Sequence, residues 1–95
     1  MVTPVVYKLG NHPNPFVGST SIDFAIKEAS NVKVDVYNLK GQLVRSLVNE
    51  SKAQGEYSLN WDSRDNNGLP VAAGVYLYKI QAGKFSSSKK MVLLK

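Results

Sequence analysis

The chain has 95 residues, 43% of them hydrophobic and 20% charged, which is the composition of one globular domain without room for a second core. It has no cysteine, so disulfide staples, thiolate metal sites and cysteine nucleophiles are excluded, and no apolar run approaches the ~20 residues a membrane-spanning helix needs. Every acid lies at or before Asp65, whereas Lys79, Lys84, Lys89, Lys90 and Lys95 follow it, so the net charge of +5 belongs to the C-terminal part.

In chain order, the hydrophobic period is two almost throughout, the signature of strands that bury one face. Val5–Leu9 is the first such run. Asn11-His12-Pro13-Asn14-Pro15-Phe16 follows, where the prolines restrict the backbone on both sides of Asn14 and predict a stiff, non-helical connection with Phe16 anchored in the core. Ile22, Phe24 and Ile26 alternate with Ser21, Asp23 and Lys27, and Val32, Val34 and Val36 alternate with Lys33 and Asp35. After the turn pair Lys40-Gly41, Leu43–Val48 fits a helical stripe as well as a strand. Its shortness and the preceding turn favour a strand. Tyr57, Leu59 and Trp61 share one face of the next run. Val75–Ile80 is apolar on both faces, as a central strand is. Phe85–Leu94 is the last run and ends in Lys89-Lys90-Met91-Val92-Leu93-Leu94-Lys95.

Breakers separate these runs at Pro13–Pro15, Ala29–Asn31, Lys40-Gly41, Gly55, Asp65–Gly68 and Ala82–Lys84. The reading is an all-β, immunoglobulin-like antiparallel sandwich of about seven strands. Residues 1–6 are read as the remnant of an N-terminal linker and residues 7–95 as the domain. No signal-like leader follows Met1, as expected of a cytoplasmic protein or of a domain taken from a longer chain.

Few residues invite chemistry. His12 is the only histidine, and no nucleophile elbow or distinctive serine accompanies it, so catalysis is not expected. Asp62, Asp65 and Asn67 lie in Trp61–Gly68 and suit a hard cation. The EF-hand spacing fails, however, with Arg64 and Ala73 at ligand positions, and a tight turn closed by Gly68 is the plainer reading. The terminal lysines lie near Tyr76, Tyr78 and Phe85 in the chain. Tyr76 and Tyr78 share the face of Ile80, which indicates packing rather than base stacking, so no nucleic-acid partner is expected. Asn49-Glu50-Ser51 matches the glycosylation triplet, a match too common by chance to carry weight. No cofactor or membrane insertion is expected.

Several segments together resemble the type A C-terminal sorting domain of the type IX secretion system. They are Tyr7-Lys8-Leu9 with Asn11–Phe16, then Val34–Val44 with Gly41, then Gly55, Trp61-Asp62, Asp65 and Gly68. The end of the chain adds Ala73-Gly74-Val75-Tyr76-Leu77-Tyr78-Lys79-Ile80 and Lys89–Lys95. The resemblance runs from Tyr7 to Lys95, through order and spacing rather than through one motif. Two positions depart from it: His12 stands where the family often has tyrosine, and Val17-Gly18 where it often has Asn-Pro. The immunoglobulin-like module of flagellar hook-capping proteins is similar over Trp61–Ile80.

The resemblance implies a folded address label, not an enzyme, that forms the last module of a larger secreted cargo protein. It implies a route through the periplasm and outer membrane to the surface or medium. The implied partners are the outer-membrane translocon, its shuttle proteins and a sortase-like peptidase that cuts before the domain. Recognition is expected at Lys89, Lys90, Met91, Val92, Leu93, Leu94 and Lys95, presented as a strand. Pro13, Asn14, Pro15, Phe16, Gly41, Gly55, Trp61, Asp62, Asp65, Gly68, Gly74, Tyr76 and Tyr78 are expected to be mainly structural. Against this, Val92 and Leu94 can instead complete the domain's own core. Two other classes compete: a carbohydrate-binding accessory module of a secreted hydrolase, which requires an exposed aromatic platform such as Trp61, and a structural spacer or hook-cap-type module.

Overall fold

A computed structural model describes residues 5–94. Eight strands form two sheets: β1 (Val6–His12), β2 (Phe16–Val17), β3 (Thr20–Ile26), β4 (Ser30–Asn38), β5 (Leu43–Lys52), β6 (Gly55–Trp61), β7 (Gly74–Ala82) and β8 (Phe85–Leu94). One sheet has the order β1-β3-β6 and the other β2-β8-β7-β4-β5. The alternation read in the sequence is what the sandwich uses. Ile22, Phe24 and Ile26 from one sheet, and Val32, Val34, Val36, Tyr78 and Ile80 from the other, are all at most 1% exposed.

The core falls into two clusters. One holds Phe16, Ile22, Trp61, Tyr76, Met91 and Leu93. The other holds Val6, Phe24, Ile26, Val32, Val34 and Ile80. The two-sided run in β7 lies between β8 and β4, inside its sheet.

The all-β, immunoglobulin-like sandwich of about seven strands holds. The count reaches eight because Phe16-Val17 forms the short β2 beside Leu93-Leu94, and that pair is parallel. The sandwich is therefore not wholly antiparallel. The strand reading of Leu43–Val48 holds, but β5 extends to Lys52 along β4, with register shifts at Val44 and Leu47, the second of which lets both Leu47 and Val48 reach the core. The linker boundary also moves: Val6 starts β1 opposite Ile26 and is 7% exposed, and Val5 accepts a hydrogen bond from the Lys27 amide at 2.8 Å. Residues 1–4 of that proposed linker lie outside the described residues.

Strand pairing sets two poles. His12, Thr20 and Trp61 meet at one, together with Phe16 and Leu93. Val5, Glu28, Ala82 and Phe85 meet at the other, around a pocket of about 370 Å³. The chain therefore enters at the pole opposite the one where β8 ends.

Candidate functional site

The sequence placed recognition on the terminal strand, and β8 pairs without interruption with β7 from Ala82↔Phe85 to Gly74↔Leu93. Gly83, at φ 61°, makes the two-residue hairpin turn that sets this register. Alternation then divides the tail. Met91 and Leu93 are buried at 0% and 1%, whereas Lys89, Lys90 and Leu94 are exposed and Val92 is half-buried. The idea that Val92 and Leu94 complete the core is thus off by one residue: Met91 and Leu93 do so. Lys95 lies outside the described residues.

Among the described residues, the outer edge of β8 is closed only at its end. Phe16 and Val17 pair with Leu93 and Leu94. Next to them the Asn14 side chain accepts from the Val92 amide at 3.0 Å and donates to the Lys90 carbonyl at 3.4 Å. Its carboxamide thus stands in for one peptide group of a neighbouring strand. Asn11 and Thr20 hold this loop in place. Thr20 Oγ1 donates to the Pro13 carbonyl at 2.8 Å, and the Asn11 amide donates to Thr20 Oγ1 at 3.1 Å. Both prolyl bonds, His12–Pro13 and Asn14–Pro15, are cis. From Phe85 to Ser88, no described residue pairs with the outer edge.

His12 gathers no catalytic set. Its Nε2 lies 2.6 Å from Asp23 Oδ2, and Asp23 also accepts from Ser58 and Ser21. The serines donate to the carboxylate, not to the histidine, so no hydroxyl is activated. The Ser58 bond, followed by Ser21 and His12, holds the Asp23 carboxyl below its ordinary value against the opposing effect of burial.

The Asp62–Gly68 segment is a fastener. Asp65 Oδ1 accepts from the amides of Asn67 and Leu69 at 2.9 and 3.0 Å. Asp62 faces Arg45 and Arg64 at 3.7 and 4.0 Å. Asn66 Oδ1 accepts from the Ser46 amide at 3.0 Å, and the Asn66 amide donates to the Val44 carbonyl at 3.0 Å, tying the loop to β5. The oxygens of Asp62 and Asp65 are thus directed at guanidinium and amide donors. No group of three or more His, Cys, Asp or Glu side chains that could hold a metal ion occurs among the described residues. Gly41 and Gly68, at φ 80° and 79°, close their turns in the region that favours glycine.

Trp61 is completely enclosed. Its ring meets Phe16 and Tyr76 edge-on at 5.9 and 5.3 Å, and its Nε1 donates to the Arg64 carbonyl at 3.0 Å. The aromatic platform that a carbohydrate module would need is therefore not formed by Trp61. Tyr76 and Tyr78 are also core residues, and burial pushes the Tyr78 phenol up to about 12. Sequence reasoning missed Asp35, which alternation assigns to the wet face. It is 3% exposed, beside Lys33 at 3.5 Å and the Tyr37 hydroxyl at 3.4 Å, and its Oδ1 has no hydrogen-bond partner. Only the side chains that lean over it from neighbouring positions distinguish it, and the sequence pattern does not contain them.

The sequence model of the FlgD Ig-like domain matches residues 10–85. The chain belongs to the FlgD Ig-like domain family. The matched segment stops at the first residue of β8, so Ser86–Lys95 lies beyond it. Among solved structures, FlgD from Xanthomonas campestris is 26% identical with a TM-score of 0.63, over 93% of this chain and 64% of that one. Dimeric latent PorU from Porphyromonas gingivalis superposes over 99% of this chain with a TM-score of 0.76 at 22% identity. PorZ, a surface component of the type IX secretion system of the same organism, does so over 92% with a TM-score of 0.62 at 21% identity. This chain spans 10% of the PorU chain and 11% of the PorZ chain. No curated protein matches the sequence.

Proposed function

We propose that this FlgD Ig-like domain is a C-terminal sorting signal that directs a larger cargo protein through the type IX secretion system, across the outer membrane to the surface or medium. It is read as a folded domain together with its terminal strand. The observation that carries this reading is the division of β8. Met91 and Leu93 anchor the tail in the core, while Lys89, Lys90, Val92 and Leu94 stay outside it on a strand whose edge is partly open. A receptor can thus read the tail without unfolding the domain. Burying Val92 and Leu94 in a receptor would contribute at most about 1.5–3 kcal/mol each before ordering costs, and the lysines would speed encounter with an acidic surface. The type IX surface component PorZ carries the same fold. In this reading the translocon, its shuttle proteins and a sortase-like peptidase are the partners, and the domain itself is not an enzyme.

The test is a fusion of residues 1–95 to the C-terminus of a periplasm-targeted fluorescent protein, in a bacterium that has the translocon. Fluorescence is expected at the surface or in the medium. Val92→Asp with Leu94→Asp should hold it in the periplasm without unfolding the domain, because neither residue is in the core. Secretion unaffected by that pair would overturn the reading. The family match itself favours a second reading, a structural assembly module like that of the hook-capping protein. That reading expects no secretion of the fusion and self-association of the purified domain.

A further inference from the structure

We propose that the open edge of β8 is a strand-addition site for an extended, acidic peptide segment of a partner protein. This goes beyond sorting, because it concerns what the edge binds whether or not the domain is exported.

In a strand, the amide and carbonyl of one residue point to the same edge, and successive residues alternate. The Asn14 side chain takes the Val92 amide and the Lys90 carbonyl on the outer edge. Because β8 pairs with β7 without a register shift, Ser86 and Ser88 present their backbone groups to that edge as well. No described residue pairs there, and both serines are exposed. Asn14 marks where the built-in partner stops and an incoming strand would begin.

The other sheet edges are less suited. β1 and β5 both carry register shifts, which twist an edge away from new partners. β6 pairs evenly but carries Glu56 and no lysine. At the far end of the β8 edge lies the pocket of about 370 Å³, lined by Val5, Ala82 and Phe85 together with Lys84 and one acid, Glu28. Free backbone groups beside an apolar pocket are the two parts of peptide recognition by strand addition.

Charge selects the occupant. Lys89 and Lys90 are adjacent and exposed, so they lie on opposite faces of the strand, and Lys84 stands at its start. An incoming strand meets a lysine on each face, and no acid lies in the chain after Asp65 to offset them. A second copy adding along this edge would bring its own lysines against these, which is unfavourable. A segment with carboxylates opposite Lys89 and Lys90 and an apolar side chain about 13 Å away, four residues at the strand rise, fits both the charge and the pocket.

The probe is a capped six-residue peptide, Glu-Glu-Thr-Ser-Thr-Val, which places adjacent carboxylates opposite Lys90 and Lys89 and valine opposite Phe85, titrated into ¹⁵N-labelled residues 1–95, with the peptide that has lysine for both glutamates as its counterpart. The amides of Ser86, Ser88 and Lys90 should shift and gain protection from exchange with the glutamate peptide only. Ser88→Pro removes one outward donor at a position where an edge strand tolerates proline, and should abolish binding with little change in melting. Lys89→Glu with Lys90→Glu should weaken binding at least tenfold, and this pair carries the test if the proline variant fails to fold. The proposal is overturned by no binding at millimolar peptide, by equal binding of the lysine peptide, or by shifts centred on β1 or β5. A free domain that is already dimeric through this edge also overturns it.

Discussion

Trp61 shows how one residue joins the two sheets. It ends β6 in one sheet, packs on Tyr76 of β7 and Phe16 of β2 in the other, and ties the following loop through its indole N–H. Trp61→Ala should cost about 3–5 kcal/mol, because deleting a large enclosed ring leaves a cavity that close-packed neighbours fill only in part; urea unfolding followed by circular dichroism measures it. Asp23 shows how a surface carboxylate links stability to pH. Its folded pKa lies below the ordinary 3.8, chiefly through the Ser58 hydroxyl. Its contribution is therefore complete at neutral pH and is lost as pH falls from about 4 through the lower folded value. Asp23→Asn should leave a flatter acid limb when urea midpoints are compared from roughly pH 5 down to pH 2. Neither the indole bond nor the serine bonds could be read from the sequence. Trp61 was legible as core only because it shares a face with Tyr57 and Leu59.

At the scale of the element, β8 was legible as a strand, but which residues it buries was not. Its apolar residues Met91, Val92, Leu93 and Leu94 are consecutive, so alternation supports either face, and the hairpin register from Gly83 decides between them. Met91→Ala should therefore cost about 2–5 kcal/mol, whereas Val92→Ala should cost about 1 kcal/mol or less. Thermal melts of the two variants side by side check the parity, and equal losses would refute it. The Asp62–Gly68 loop teaches the converse. Its composition suits a cation as well as a turn, and only the positions of the Asn67, Leu69 and arginine donors show where the two aspartates point. β2 escaped notice because a strand of two residues has no period to detect.

For the whole molecule, the proposed sorting role rests on the separation of Val5 from the end of β8. The domain extends 41 Å along its longest axis and 23 and 21 Å across. The chain enters beside Val5 at the pocket pole, and β8 finishes beside Phe16 at the other. In the proposed reading, a cargo joined on the Val5 side would leave the end of β8 accessible to a receptor. A fluorescent protein fused before residue 1 should be exported, whereas the same protein fused after Lys95 should stay in the periplasm, with both fusions showing the same domain melting temperature. Export of both would show that the tail end need not be free.

The sequence by itself determined the strand class, the location of most strands, the absence of thiol chemistry and the basic C-terminal part, because these follow from local periodicity, turn residues and composition. Tertiary structure alone decided which face of the tail is buried, that the Asn14 carboxamide caps the edge of β8, that Asp35 is enclosed, and that Val5 and the end of β8 lie at opposite poles. Those properties depend on contacts between segments up to 78 residues apart, and local patterning contains no term for such contacts.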